Sequence, residues 1–333
     1  MQSIGIIGGG AWGTALGLVA LRAGREPLLW AREAEVVAGI NDRHENALFL
    51  PGVVLDPRLR ATGDLAEAAQ RDLLLLATPA QHLRAIAEAV APHLKPGTPV
   101  VICAKGIEER SGALLSEVVA AALPQAAVAV LSGPTFAAEV ATGQPTAITL
   151  AASDVALGQR LVQALGSRAF RPYHTDDIAG AQIGGAIKNV IAIACGIVVG
   201  RRLGDNARAA LITRGLAEMA RLALAKGGRS ETLMGLSGLG DLTLTCTSLQ
   251  SRNCSLGAAL GEGKSLAEIL AARRSVAEGV TSAAAAADLA RRLGIEMPIV
   301  AAVDAILHRG AAIDAAIEAL LARPFRSETR ATP

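Results

Sequence analysis

The chain has 333 residues, 51% of them hydrophobic and 19% charged, with 32 Lys+Arg against 30 Asp+Glu for a net charge of +2. That is enough chain for two domains, each with its own core. The near-neutral balance and the 2% aromatic content exclude a large polybasic or base-stacking surface for nucleic acid.

Four cysteines (Cys103, Cys195, Cys246 and Cys254) form no CxxC pair, and no His-x-x-x-His occurs, so no metal site is expected. Cys103 and Cys195 sit in apolar runs and read as small core hydrophobes. Nothing but Met1-Gln2-Ser3 precedes the first strand, so no leader peptide is expected. Together with reduced thiols, this points to the cytoplasm.

Ser3-Ile4-Gly5-Ile6-Ile7 is a short β-type run. Gly8-Gly9-Gly10-Ala11-Trp12-Gly13 follows it, and Thr14 to Ala23 reads as a helix. Strand, G-x-G-x-x-G turn and helix, in that order, are the start of a dinucleotide fold. Gly8 serves the tight turn, Gly10 lets backbone approach a pyrophosphate, and Gly13 lets the helix pack on the strand. The free N–H groups of the helix start face the phosphates. Glu26 to Trp30 is the second strand, ending at Ala31-Arg32. An arginine there suits a 2′-phosphate, whereas an acid suits free ribose hydroxyls. Arg32 comes first, so NADPH is expected ahead of NADH, with Glu33 as the counter-signal.

The βα rhythm continues. Leu73 to Ala77 is a continuous apolar strand, the pattern of a parallel strand buried on both faces. Thr78-Pro79 end it, and Gln81 to Ala91 reads as helical. Pro99 to Cys103, followed by Ala104-Lys105-Gly106, and Ala127 to Leu131, followed by Ser132-Gly133-Pro134-Thr135-Phe136-Ala137, are the next strands. Thr146 to Leu150 and Phe170 to His174 complete a mostly parallel, Rossmann-like α/β dinucleotide-binding domain over residues 1–175. Open parallel sheets bind ligands beyond the carboxyl ends of their strands. Thr78-Pro79, Lys105 and residues 132–137 fall there, so Lys105, at most positions a solvated lysine, is expected to face the cleft.

From Asp176 helical periods take over: 178–200, 206–225, 266–272, 282–293, 298–307 and 312–321. They make an all-α substrate and catalytic domain over residues 176–325, with a frayed tail at 326–333. In the first of these helices Lys188 and Asn189 interrupt an apolar run from Gly184 to Cys195. One reading packs the lysine stem and sends its head to water. The other buries the ammonium, which depresses its pKa and suits it to proton transfer near neutrality. The uncharged segment from Val190 to Gly200 is too short to cross about 30 Å of hydrocarbon. Two irregular stretches break the helices. Gly235 to Asp241 is a glycine-rich loop ending in an acid, which either caps a turn or fixes a buried lysine. Thr245, Thr247, Ser251, Arg252 and Asn253 follow, a set suited to a phosphate dianion. Ser251 by itself reads as a helix N-cap.

These residues resemble the bacterial-type NAD(P)-dependent glycerol-3-phosphate dehydrogenases from Ile4 to about Leu320. The resemblance rests on Gly8 to Gly13, Ala104-Lys105-Gly106, Ser132 to Ala137, Gly185-Ala186-Ile187-Lys188-Asn189-Val190 and Asn206 to Gly215. Gly238 to Leu242, Ser251-Arg252-Asn253 and Glu278-Gly279-Val280 add to it. It implies reversible reduction of dihydroxyacetone phosphate to sn-glycerol 3-phosphate for glycerophospholipid synthesis, with NADPH or NADH and no metal. It implies no nucleic-acid partner and no membrane insertion, and leaves a homodimer as the assembly to test. Lys188 is implied as proton donor and acceptor, with Asp241 beside it, and Lys105 as touching both substrate and cofactor. Gly133, Thr135, Asp241, Ser251, Arg252 and Asn253, with Thr245 as a further member, are implied for the substrate. Ala11, Trp12, Arg32, Ala137, Arg252, Val276 and Glu278 are implied for the cofactor. Ala11 departs from the family pattern, in which serine or threonine is frequent, and so lacks one phosphate hydrogen bond. The rival readings are a hydroxyacid dehydrogenase or ketopantoate-type reductase of the same architecture, which handles a carboxylate, and a non-catalytic dinucleotide sensor.

Overall fold

The computed structural model describes residues 1–272 and 277–325. Val276 and the tail at 326–333 lie outside the described residues. Among the described residues ten strands occur in chain order: Ser3–Ile7 (β1), Glu26–Trp30 (β2), Glu45–Asn46 (β3), Leu50–Val54 (β4), Arg60–Thr62 (β5), Leu73–Leu76 (β6), Pro99–Ile102 (β7), Ala127–Ser132 (β8), Thr146–Ala151 (β9) and Phe170–Thr175 (β10). Eight form one sheet in the order β10-β9-β8-β7-β6-β1-β2-β5. All neighbours run parallel except β8 and β9, which are antiparallel. β3 and β4 make a separate hairpin.

The strands alternate between two apolar layers, as a period of two requires. Ile4, Ile6, Leu73, Leu75, Val101 and Leu131 enter one core. Ile7, Leu74, Leu76, Val100, Ile102 and Val130 enter the other. Each fully buried leucine contributes roughly 1.5–3 kcal/mol by leaving water, which is why Leu73–Leu76 holds the middle of the sheet. The chain steps from β1 to β2 and β5 on one side, then returns to β6 on the other. That reversal opens a crevice over the carboxyl ends of β1 and β6, the place where such sheets bind dinucleotides.

The helical half is built on Ile178–Gly200, buried without a break from Gly180 to Val198. Asp177 caps it, accepting from the Gly180 N–H at 2.8 Å and from the Arg229 N–H at 2.8 Å. The helix has 23 residues and is apolar enough to cross a membrane. The expectation that the segment is too short is therefore corrected. Its burial within this fold, and not its length, sets it apart from a span. Helix Arg252–Gly261 lies against it almost backbone to backbone. A Cβ on Gly196 would stand 2.0 Å from the Cys254 carbonyl oxygen, and one on Gly257 2.0 Å from the Ile193 oxygen. This approach, open only to glycine, brings the start of the second helix alongside Asn189.

The sequence reading places seven strands in this sheet. It omits β5, which is three residues long and carries a charge, and the β3–β4 hairpin, whose strands show little apolar alternation. It also leaves unassigned the crossover helices Leu115–Ala122 and Val155–Leu165. The irregular loop expected at 235–241 is corrected: Leu236–Gly240 is a helical turn that runs into helix Asp241–Thr247. A Cβ on Gly238 would stand 2.0 Å from the Leu233 oxygen, and one on Gly184 2.2 Å from the Ser237 oxygen. The glycines here serve close packing and not a loop.

Candidate active site

The turn after β1 has the shape its spacing requires. Gly8 has φ +131°, and a Cβ there would stand 2.8 Å from the Ala77 carbonyl carbon. A Cβ on Gly13 would fall 1.9 Å from the Gly8 oxygen, whereas one on Gly10 would meet nothing within 4 Å. Gly10 is the N-cap of helix Ala11–Arg22 and has no side chain to satisfy its first N–H groups. Trp12 buries its indole N–H without a partner among the described residues. An open helix start beside an orphaned donor fits the phosphates and polar edge of a dinucleotide.

Arg32, at the end of β2, is 80% exposed and pairs with Glu33 at 3.0 Å. Ala137 begins helix Ala137–Ala141 and packs on the same core as Ala11 and Trp12. Glu278 reaches across from the helical half, its Oε1 accepting from the Ala80 N–H at 3.4 Å. Burial raises its pKa, opposed by the Ala80 bond and by Arg252.

Lys188 does not reach water. It is 6% exposed, and its Nζ donates to Asp241 Oδ1 at 2.6 Å and to Thr245 Oγ1 at 2.8 Å. Lys105, from the loop after β7, donates to Asp241 Oδ2 at 2.7 Å and to the Gly133 carbonyl at 2.8 Å. Thr245 donates in turn to the Asp241 main-chain oxygen at 2.6 Å. One buried carboxylate thus carries two ammonium groups, one from each half of the chain. Asp241 opens its helix at the first position, yet its carboxylate holds the lysines and does not act as the cap.

Burial pushes the Lys188 pKa down to about 8, and Lys105 adds to the fall against the pull of Asp241. The sequence left open whether repulsion from the second lysine or attraction by Asp241 prevails. Asp241 outweighs Lys105, and it is burial that makes the net shift downward. Two cations on one anion leave an excess positive charge in a site shielded from water, where its field acts most strongly.

The third group is the start of helix Arg252–Gly261. Ser251 is its N-cap, accepting from the Cys254 N–H at 3.2 Å. Arg252 is exposed at the first position. Asn253 donates to Asn189 Oδ1 at 2.9 Å and accepts from the Gly279 N–H at 2.9 Å. Asn189, next to Lys188, was assigned no role from sequence. Its signal was an amide inside an apolar helix, and its work is to hold Asn253, which in turn ties the start of the third helix at Gly279. Thr135 donates to the Gly133 oxygen at 3.3 Å, the same oxygen that Lys105 engages. Lys105, Gly133, Thr135, Lys188, Asp241 and Thr245 therefore form one bonded cluster. Asn253 adjoins it through Asn189, next to Lys188; Arg252 is within electrostatic reach of Glu278, and Arg32 pairs with Glu33 at the end of β2.

The NAD-dependent glycerol-3-phosphate dehydrogenase N-terminus model matches residues 3–157, and the corresponding C-terminus model matches residues 177–318. The glycerol-3-phosphate dehydrogenase, NAD(P)+, of Parvibaculum lavamentivorans is 61% identical over 98% of each chain. The chain belongs to the NAD-dependent glycerol-3-phosphate dehydrogenase family. The Rhodospirillum rubrum glycerol-3-phosphate dehydrogenase is 61% identical over 98% of this chain and 94% of its own. The crystal structure of a Coxiella burnetii glycerol-3-phosphate dehydrogenase superposes with TM-score 0.93 at 40% identity, covering 97% of this chain and 99% of that one. The mostly parallel sheet followed by a helical half is thus the architecture of a glycerol-3-phosphate dehydrogenase. A nicotinamide dinucleotide is this family's cofactor.

Proposed function

We propose that the chain reduces dihydroxyacetone phosphate to sn-glycerol 3-phosphate, reversibly, at the cluster around Asp241. The observation that carries the reading is the carboxylate shared by Lys105 and Lys188 at 2.7 and 2.6 Å, beside the Arg252-Asn253 helix start. Residues 1–175 hold the dinucleotide in this reading and residues 176–325 supply the proton-transfer and phosphate-binding groups. When bound, the nicotinamide supplies the hydride that the carbonyl carbon accepts.

Lys188 gives its proton to the oxygen that gathers charge, and takes it back in the reverse direction. With a pKa of about 8 it holds both forms near neutral pH, as a reversible acid–base group needs. Lys105, beside the same oxygen, lowers the barrier electrostatically. Asp241 orients both ammonium groups, and Thr245 fixes the Lys188 head from the other side. Arg252 and Asn253 take the phosphate dianion, which positions the substrate without taking part in the chemistry. Gly133 and Thr135 line the substrate, and Ser251 supports the helix start that binds it. Gly8 to Gly13, Arg32, Lys105, Ala137 and Glu278 hold the dinucleotide.

NADPH is proposed as the better cofactor. Arg32 is mostly solvent-facing at the end of β2, and its carboxylate partner Glu33 is a group that a 2′-phosphate replaces. The product is a precursor suited to glycerophospholipid synthesis. A cytoplasmic setting agrees with the four buried thiols, none of which is in a disulfide.

The test follows absorbance loss with dihydroxyacetone phosphate and either NADPH or NADH, alongside ketopantoate and simple 2-oxoacids. Rapid consumption with the phosphate substrate alone, faster with NADPH, is expected. Preference for a carboxylate substrate, or binding without consumption, contradicts the reading. Replacing Arg252 with alanine removes a charge-assisted phosphate contact worth roughly 1.5–3 kcal/mol. The substrate KM is expected to rise by about tenfold to a hundredfold with a smaller change in kcat. An unchanged KM removes Arg252 from the phosphate site.

A further inference from the structure

We propose that Asn46, which lies outside the catalytic cluster, sets the dinucleotide turn before the cofactor arrives. This rests on the dinucleotide reading of Gly8 to Gly13. Asn46 belongs to β3 of the hairpin and is 1% exposed. Its amide nitrogen donates to the Gly9 carbonyl at 2.8 Å and to Thr14 Oγ1 at 2.8 Å, and its oxygen accepts from the Phe49 N–H at 3.2 Å. Thr14 passes the restraint on, its hydroxyl donating to the Gly10 carbonyl at 3.0 Å. Two successive carbonyls are thus tied from the inner side of the turn.

A trans peptide is planar, with its C=O and N–H opposed. Holding the Gly9 and Gly10 oxygens inward therefore turns the N–H groups of Gly10 and Ala11 outward. A Cβ at Gly10 would meet no atom within 4 Å, so the turn has open space for a ligand at this residue. The three glycines that permit the turn also leave it many other conformations, and the tie from Asn46 selects one. Turning the backbone donors out in advance lowers the ordering cost that binding otherwise bears. The device matters more in this chain because Ala11 offers no hydroxyl, so an anion at this helix start depends on correctly aimed N–H groups. An amide supplies the two donors and one acceptor that these partners use, whereas a carboxylate of the same shape supplies no donor.

The experiment titrates wild-type protein, Asn46→Ala and Asn46→Asp with NADPH in the absence of substrate. It follows the fluorescence of the tryptophans, one of which, Trp12, lies in the turn, and is paired with steady-state kinetics. Asn46→Asp keeps the acceptor for Phe49 and carries the test if the alanine variant does not fold. In both variants the NADPH dissociation constant is expected to rise roughly tenfold to a hundredfold, with the cofactor KM rising in step. The kcat at saturating cofactor and the KM for dihydroxyacetone phosphate stay within about twofold. A dissociation constant unchanged in Asn46→Asp overturns the proposal. So does a loss spread over kcat and substrate KM, which marks Asn46 as a general structural residue. Wild-type protein that binds neither NADPH nor NADH overturns the dinucleotide reading itself, and the proposal with it.

Discussion

Lys188→Ala lowers kcat for dihydroxyacetone phosphate reduction by about a thousandfold or more, while the dissociation constant for NADPH stays within about twofold. The size follows from two losses at one atom. A positioned proton donor contributes roughly 10²–10⁴ in rate, and a preorganised cation near a developing oxyanion adds electrostatic stabilisation. Cofactor binding is spared because the Lys188 head touches Asp241 and Thr245, not the turn after β1. Lys188→Arg separates the two losses. It keeps the charge, but a guanidinium holds its proton too tightly to donate it near neutral pH. It should recover part of the alanine loss and leave most of it. Single-turnover kinetics with saturating NADPH make the measurement, and near-wild-type turnover in Lys188→Ala removes the lysine from the reaction.

Asp241→Asn is expected to be nearly as damaging, and by a different route. The carboxylate accepts from two ammonium groups through its two oxygens, whereas an amide accepts through one oxygen and turns donors toward the second cation. Breaking a buried ion pair from one side costs about 3–5 kcal/mol. Here part of that cost is relieved, because Lys188 sheds its proton. Burial and Lys105 already depress its pKa, and Asp241 is the group holding it up, so its loss moves the pKa further down. Near neutral pH the variant then presents a neutral amine where reduction needs an acid. Reduction is expected to fall by about a hundredfold or more and its pH limb to shift to lower pH. A denaturant titration should also show a lower midpoint. A variant that keeps the wild-type limb rules out Asp241 as the residue that poises Lys188.

Much of this was legible in the sequence because it is local. The four-leucine run of β6, the glycine spacing after β1 and the apolar stretch carrying Lys188 each follow from periodicity or backbone freedom within a few residues. The helix expected at 178–200 is found at Ile178–Gly200. What pairs with what was not legible. Asp241 meets Lys105 across 136 positions and Lys188 across 53, and only the fold closes those distances. Asn46 lies 37 positions from Gly9 in a hairpin with no strong alternation, so nothing in the sequence set it apart. Gly235 to Gly240 misleads because glycine disfavours a helix by about 1 kcal/mol per residue, while here its missing side chain is what allows the turn to pack on Ile178–Gly200. The antiparallel β9 was likewise hidden, since an apolar run does not declare its direction.

The central claim is that Lys188, poised by burial against Asp241, moves the proton. The most direct measurement is the pH dependence of kcat/KM in both directions from about pH 6 to about pH 10, which reports the ionisation of the free enzyme. Reduction needs the protonated amine, so its rate should fall as pH rises through about 8. Oxidation of glycerol 3-phosphate needs the free amine, so its rate should rise over the same limb. Both limbs should be absent from Lys188→Arg. A reduction profile that stays flat across this range, or a limb near pH 8 that persists in Lys188→Arg, contradicts the account.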